Sequence, residues 1–237
     1  LDKKSIVSLS VMPCTAKKYE AAREEMKDSG FRDVDYVLTT RELARMIRQA
    51  GIDFKNLEDG VPDKMLSAYT GAGTIFGATG GVMEAALRTA YELKTGKTLP
   101  KMEFEGVRGL NGVKEAAVDV EGTEVRVAVA HGLGNARELL EYVSGAKNRG
   151  ELPYHFIEIM ACTGGCVGGG GQPLENDIAA RERRAAGLYT EDSGLKVRKS
   201  HENAEVQAIY KECLGSPGGE KSHHLLHTHY IKRNPYG

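Results

Sequence analysis

Apolar residues in this chain fall into short β-branched runs that alternate with stretches spaced at helical intervals. Ile6–Val11 is such a run and Pro13 ends it, so a strand is expected to lead into a loop there. Ala16–Met26 carries helical spacing of charged and apolar positions, and Val34–Leu38 reads as a second strand. Thr39 or Thr40 with Glu42 opens a helix to about Ala50, where Gly51 stops it. Lys55–Tyr69 holds Asp-Gly and Val-Pro and reads as loop. A long amphipathic helix begins at Thr79 or Gly80 and runs to about Leu93, closed by Gly96. Val113–Val120 and Glu124–Ala130 flank Glu121-Gly122-Thr123 as a hairpin or strand pair. Gly134–Val143 reads as a helix, Tyr154–Ile159 as a strand, and Asn176–Ala186 and Glu202–Leu214 as helices. Strands alternating with helices predict α/β layers around a mostly parallel sheet. Ser144–Gly150 is the best internal break, dividing the chain into an α/β lobe at 1–150 and a segment with a helical tail at 151–237, unless the whole is one continuous domain.

Composition narrows the function classes. At 237 residues the chain can form one large domain or two small lobes. A net charge of −1 leaves no electrostatic footprint for nucleic acid. No apolar run approaches the roughly 18–20 residues that span a bilayer, and no signal peptide is visible. The expectation is a cytoplasmic protein with no membrane insertion. The chain opens at Leu1 rather than Met and reaches its first strand almost at once, as a piece of a longer protein would. Its 29 glycines imply tight turns or close backbone approaches to a ligand.

The cysteines carry the chemistry. Cys14 lies in Met12-Pro13-Cys14-Thr15-Ala16-Lys17-Lys18-Tyr19-Glu20. Cys162 and Cys166 lie in Met160-Ala161-Cys162-Thr163-Gly164-Gly165-Cys166, followed by Val167, four glycines, Gln172 and Pro173. Each segment ends a strand-like run and opens a loop, the place where α/β folds put their sites. Four cysteines in a chain this long do not make a disulfide framework, and Cys213 stands apart as a lone, partly buried thiol. A structural zinc site commonly uses C-x2-C pairs, whereas here one C-x3-C has no matching pair. A [4Fe–4S] cluster takes four thiolates, and three are well placed. Buried structural thiols are the remaining reading. The glycine run argues against it, since each glycine weakens regular structure by about 1 kcal/mol in a helix. Such a run suits backbone that approaches a bulky cluster and donates N–H groups to its sulfurs.

MPCTAKKYE and MACTGGCVGGGGQP resemble the second and third signature motifs of the iron-only ([FeFe]) hydrogenase catalytic domain. Ile75–Leu87 resembles the segment between those motifs, and Arg198–Asn203 and Leu226–Tyr230 resemble the family's tail. Thr163 stands where the family often has Pro. The resemblance implies an α/β fold of two lobes with mostly parallel sheets flanked by helices, the cluster between them. It implies that Cys14 and Cys162 bind irons of a [4Fe–4S] cubane. Cys166 would bridge that cubane to a diiron subcluster bearing CO, cyanide and dithiolate ligands. Lys17 would contact a cyanide, and Met12, Met160, Phe76 and Gly77 would line the diiron pocket. The implied reaction is reversible reduction of protons to H2, with electrons from ferredoxin or NAD(P)H-linked subunits. The family's first motif, around Cys-Cys-Pro, has no counterpart here. An upstream segment or separate chain is therefore expected to supply the fourth ligand and a proton-relaying cysteine, with maturation factors installing the diiron unit, and this segment alone is expected to be inactive. A hydrogenase-like iron–sulfur assembly scaffold, a sensory module and a cluster-free structural domain are the alternatives.

Other features read as structure. Glu20 and Glu84 are expected to be hydrogen-bonding or helix-surface carboxylates rather than catalytic acids. His131-Gly132-Leu133-Gly134 echoes a dinucleotide-binding turn, but a partial GxG is weak and a plain strand-to-helix turn is expected. His223, His224, His227 and His229 have spacings that could clip zinc, yet read better as a helix or docking surface.

Overall fold

The structure is a computed structural model that describes residues 2–63 and 66–232, so Leu1 and, within the expected loop, Lys64 and Met65 lie outside the described residues. Two small sheets organise it. The first pairs β1 (Leu9–Met12) and β2 (Tyr36–Thr39) in parallel, with Met12 opposite Thr39. Between them α1 (Ala16–Ala21) is shorter than the charge spacing predicts, because the chain breaks into turns at Arg23 and Met26. Ile6 and Val7 stay outside the strand and exposed. α2 (Thr40–Gln49) starts at a capping box: Thr39 Oγ1 accepts from Glu42 N–H, and the Glu42 carboxylate accepts from Thr39 N–H.

The second sheet has the order β3–β4–β5. β3 (Val113–Val120) and β4 (Thr123–His131) form an antiparallel hairpin, turning through Glu121 and Gly122 with both φ positive. α5 (Leu133–Asn148) crosses over to β5 (Phe156–Met160), which pairs in parallel with β4. α5 runs through Ser144 to Asn148, and β5 joins strands from before residue 150. β4 is the buried central strand. Val127 and Val129 pack on Met83 and Leu87 of α4 (Gly81–Thr95), while Ala128 and Ala130 pack on Leu139 of α5. Alternate residues thus serve opposite faces, as the period of a strand requires. Two of the three strand pairings are parallel, and helices flank the sheets, so the α/β expectation holds.

α4 begins at Gly80 and ends at Gly96, both with left-handed backbone. Ahead of it lies a short helix the pattern hid, α3 (Gly71–Ile75), capped by the Thr70 hydroxyl. α6 (Ile178–Gly194) is eight residues longer at its C-terminal end than expected and packs on α3; at Gly71 a Cβ would come within 2.0 Å of the Asp192 carboxylate. The expected 202–214 helix is instead α7 (Ala204–Ile209) followed by a π-helical turn at Tyr210–Leu214. α8 (Glu220–Leu226) carries the histidine tail, where His223 and His227 stack at 4.4 Å. Among the described residues no helix is long and apolar enough to cross a membrane.

A buried charge lattice joins α4 to the C-terminal part. Arg88, Glu84 and Asp192 are all fully buried. Arg88 grips Asp192 through Nη1 and Nη2 at 2.8 Å each and reaches Glu84 at 2.6 Å. Arg108 makes two further bonds to Glu84, and Arg198 bonds Asp192 at 2.6 Å and Glu103 at 2.9 Å. Glu84 is thus a hydrogen-bonding carboxylate but not a surface one: its i,i+4 spacing to Arg88 faces inward. Arg198–Asn203 owes its pattern to the same docking, since Lys199 and His201 both bond Glu92 and Asn203 caps α7.

Candidate metal centre

Both cysteine segments follow the C-terminal ends of parallel strands, Cys14 after β1 and Cys162 after β5. The glycine run draws them together. Gly171 N–H donates to Pro13 O at 2.7 Å. A Cβ on Gly169 would lie 2.2 Å from that same oxygen, and one on Gly171 2.7 Å from the Thr39 side chain. Arg41 at the start of α2 adds bonds to Gly170 O and Gly171 O. A Cβ on Gly168 would lie 1.9 Å from Thr163 O, so the run presses on the backbone of both cysteine loops. One N–H in it, that of Gly170, is directed at the Cys162 thiol.

Cys14, Cys162 and Cys166 are half-buried free thiols. Burial pushes the Cys162 thiol up, and Cys14, near enough to hydrogen-bond it, raises it further. Burial likewise raises Cys166, with Cys14 adding to it, while the Lys17 ammonium favours the thiolate. The three thiols act on one another yet are not all within 4.8 Å; among the described residues only Glu92, His201 and Glu202 form such a group. Three thiolates gathered in this way can serve as part of the four-thiolate set of a zinc ion or of an iron–sulfur cluster. Binding would deprotonate the thiols, as metal ligation requires. Glu92, His201 and Glu202 are a structural group, since the Lys199 ammonium already bonds both carboxylates, at 2.8 and 2.7 Å.

Cys166 opens on a cleft of ≈ 430 Å³ whose walls include Pro13, Gly77, Val167 and Leu188. Gly77 leaves room there for Leu188: a Cβ would lie 2.7 Å from Leu188 Cδ1, at the far end of that side chain. Gly77 O accepts from Val167 N–H at 3.0 Å, and Thr79 N–H donates to Gly164 O at 3.1 Å, so the 76–79 segment braces the second cysteine loop. Phe76 caps α3 and is exposed. Met12 and Met160 close their strands, half-buried, and a Cβ on Gly165 would lie 2.8 Å from Met160 Sδ. Lys17 is 41% exposed and paired with Glu20 at 2.5 Å. Cys213 is exposed rather than partly buried and contacts Lys221.

Sequence reasoning missed two buried groups beside this centre. Glu158, mid-strand in β5, accepts from Gly80 N–H at 2.6 Å and Met83 N–H at 2.7 Å, placing a carboxylate at the α4 N-terminus. Burial raises it against those bonds. Burial also lowers Lys114 to about 8, its ammonium held by Thr79 O and Gly109 O. A lone Glu inside Phe156-Ile157-Glu158-Ile159-Met160 was the available signal.

A family described as "Iron only hydrogenase large subunit, C-terminal domain" matches residues 1–170, and one described as "Iron hydrogenase small subunit" matches 176–233. The chain is 53% identical over 234 residues to the NADP-reducing hydrogenase subunit HndD of Solidesulfovibrio fructosivorans, over 98% of this chain and 39% of that protein. It is 33% identical to cytosolic iron-sulfur assembly component 3 of Rattus norvegicus, over 95% of this chain and 47% of that one. A solved variant of the [FeFe]-hydrogenase HydA1 from Chlamydomonas reinhardtii superposes with a TM-score of 0.74 at 42% identity, over 95% of this chain and 63% of the other. The chain therefore spans less than half the length of these curated relatives.

Proposed function

The chain belongs to the iron-only hydrogenase family, and on that premise we propose that it is the cluster-holding part of an enzyme that interconverts protons and H2. The observation carrying this reading is the meeting of Cys14 with Cys162 and Cys166, from loops far apart in sequence. Cys14 and Cys162 would hold irons of a [4Fe–4S] cubane, and Cys166, at the cleft, would join it to a diiron unit with CO, cyanide and dithiolate ligands. That group, when bound, supplies the redox chemistry of proton reduction.

The chain's own residues hold and shield it. Gly170 N–H donates toward Cys162 sulfur, which stabilises a thiolate over a thiol. Lys17, within electrostatic reach of Cys166 although 41% exposed and paired with Glu20, would supply a cation for anionic ligands. Met12, Met160, Phe76 and Gly77 would exclude water with apolar or polarisable groups. A separate segment would complete the thiolate set, and ferredoxin or an NAD(P)H-linked subunit would exchange electrons; HndD's name makes the latter the nearer precedent.

The test is anaerobic loading with iron and sulfide, read as iron and acid-labile sulfide per chain. Wild type and Cys213→Ser should load equally, and Cys162→Ser should lose most of it. Equal loading in Cys162→Ser overturns the ligand set. Turnover is then measured after adding the fourth-ligand segment and maturation factors. A loaded cubane without H2 evolution would favour the assembly-scaffold or sensory alternative instead. Lys17→Ala should abolish most H2 evolution while leaving cubane iron content unchanged.

A further inference from the structure

We propose that His131 is a positioning residue for the second cysteine loop: its neutral imidazole accepts the Gly164 N–H and thereby fixes the spacing between Cys162 and Cys166. This rests on the reading that those two cysteines hold the cluster. His131 ends β4, is buried, and stands opposite Met160 of β5. Its Nε2 lies 3.1 Å from Leu110 O, which can only accept, so Nε2 carries the proton. Its Nδ1 therefore has a free lone pair, and Gly164 N–H donates to it at 3.1 Å in a buried contact. The two neighbours assign the tautomer between them.

The loop needs this anchor. Gly164 and Gly165 both have left-handed backbone, at φ +85° and +90°, and neither has a side chain to hold it there. Thr79 N–H secures the Gly164 carbonyl, and His131 secures its N–H from the other side. The backbone that carries the ring is itself fixed, because His131 N–H donates to Gly112 O at 3.0 Å and Asn135 Nδ2 donates to His131 O at 2.7 Å. An aliphatic side chain here would leave a buried N–H between the two cysteines unpartnered. The strand-to-helix turn thus has a second use, as the support on which the C-x3-C spacing is set.

Three variants separate the imidazole's two contacts. His131→Asn keeps an acceptor where Nδ1 stood, His131→Gln keeps a donor toward Leu110 O, and His131→Ala keeps neither. The first readout is hydrogen exchange, by mass spectrometry, of the 160–168 peptide in the cluster-free chain. Ala and Gln should exchange about tenfold faster than wild type, the factor one net hydrogen bond supplies, and Asn should stay near wild type. Exchange of the α4 peptide should not change. Equal exchange in all four proteins overturns the proposal, as does Gln behaving like Asn; that second comparison decides the matter if Ala unfolds. The second readout is iron retention after loading with iron and sulfide, with 2-mercaptoethanol as the fourth thiolate. Iron should be lost about tenfold faster from Ala and Gln than from Asn or wild type. Failure of wild type to load counts against the cluster reading, whereas the exchange result still judges His131.

Discussion

The two sheets of this molecule are finished to different degrees. In the second, β4 is covered on both faces by α4 and α5, and the charges near it are matched by buried partners. In the first, Leu9 and Val11 on one face of β1 are 52% and 43% exposed, and Tyr36, opposite Leu9, is 61% exposed. A parallel sheet is ordinarily covered on both faces. The second sheet therefore accounts for the stability of these residues, and the first, which presents Cys14, has an apolar face open to a further segment.

Breaking the finished half should produce the largest effect. Arg88→Leu leaves Glu84 and Asp192 fully buried with a partner removed, and a loss of about 3–5 kcal/mol is expected in urea unfolding. A loss below 1 kcal/mol would show the lattice to be dispensable. The junction of the halves comes next. Gly169→Ala drives a methyl into Pro13 O, so unfolding free energy should fall by about 1–3 kcal/mol and iron loading should fall with it. Unchanged loading would mean that the glycine run does not set the spacing of the cysteine loops.

Acid probes the finished half more gently. Burial pushes the Glu92 carboxyl up, but Lys199, the Leu99 N–H and His201 outweigh it and hold it at about 2. A free glutamate titrates near 4.5, so the unfolded chain binds the proton first and folded stability is present above that pH. Stability should decline as pH falls from about 4.5 toward about 2, and Glu92→Gln should flatten that part of the profile. The same slope in both proteins refutes the assignment. The smallest effect belongs to the open face. Leu9→Thr with Val11→Thr should shift stability of the isolated chain by only about 0.5 kcal/mol, yet weaken capture of the fourth-ligand segment. Undiminished capture would show that this face is not its seat.

What the sequence made legible follows from the range of each interaction. Strands, the hairpin and the long helix were readable because periodicity and turn glycines are local, and Cys14, Cys162 and Cys166 stood out by their motifs. Glu84 was not readable as a buried group: an i,i+4 Glu–Arg pair has the same spacing inside or outside, and its burial depends on Asp192 from a distant helix. α7 was overextended because nothing local marks the π-helical turn at Tyr210–Leu214. His131 was correctly placed in a turn, but its acceptor role needs Gly164 beside it, which only β4–β5 pairing arranges.

The contact between Gly171 and Pro13 also has a kinetic meaning. It closes a loop of most of the chain, with an entropic cost on the order of 4 kcal/mol, whereas the β3–β4 hairpin closes over a two-residue turn. High contact order places such an encounter late on the folding route. The second sheet can form while Cys14 is still far from Cys162. An iron–sulfur cluster arriving from outside would then act as a staple across the slowest closure in the molecule, and its presence would slow unfolding more than it speeds folding.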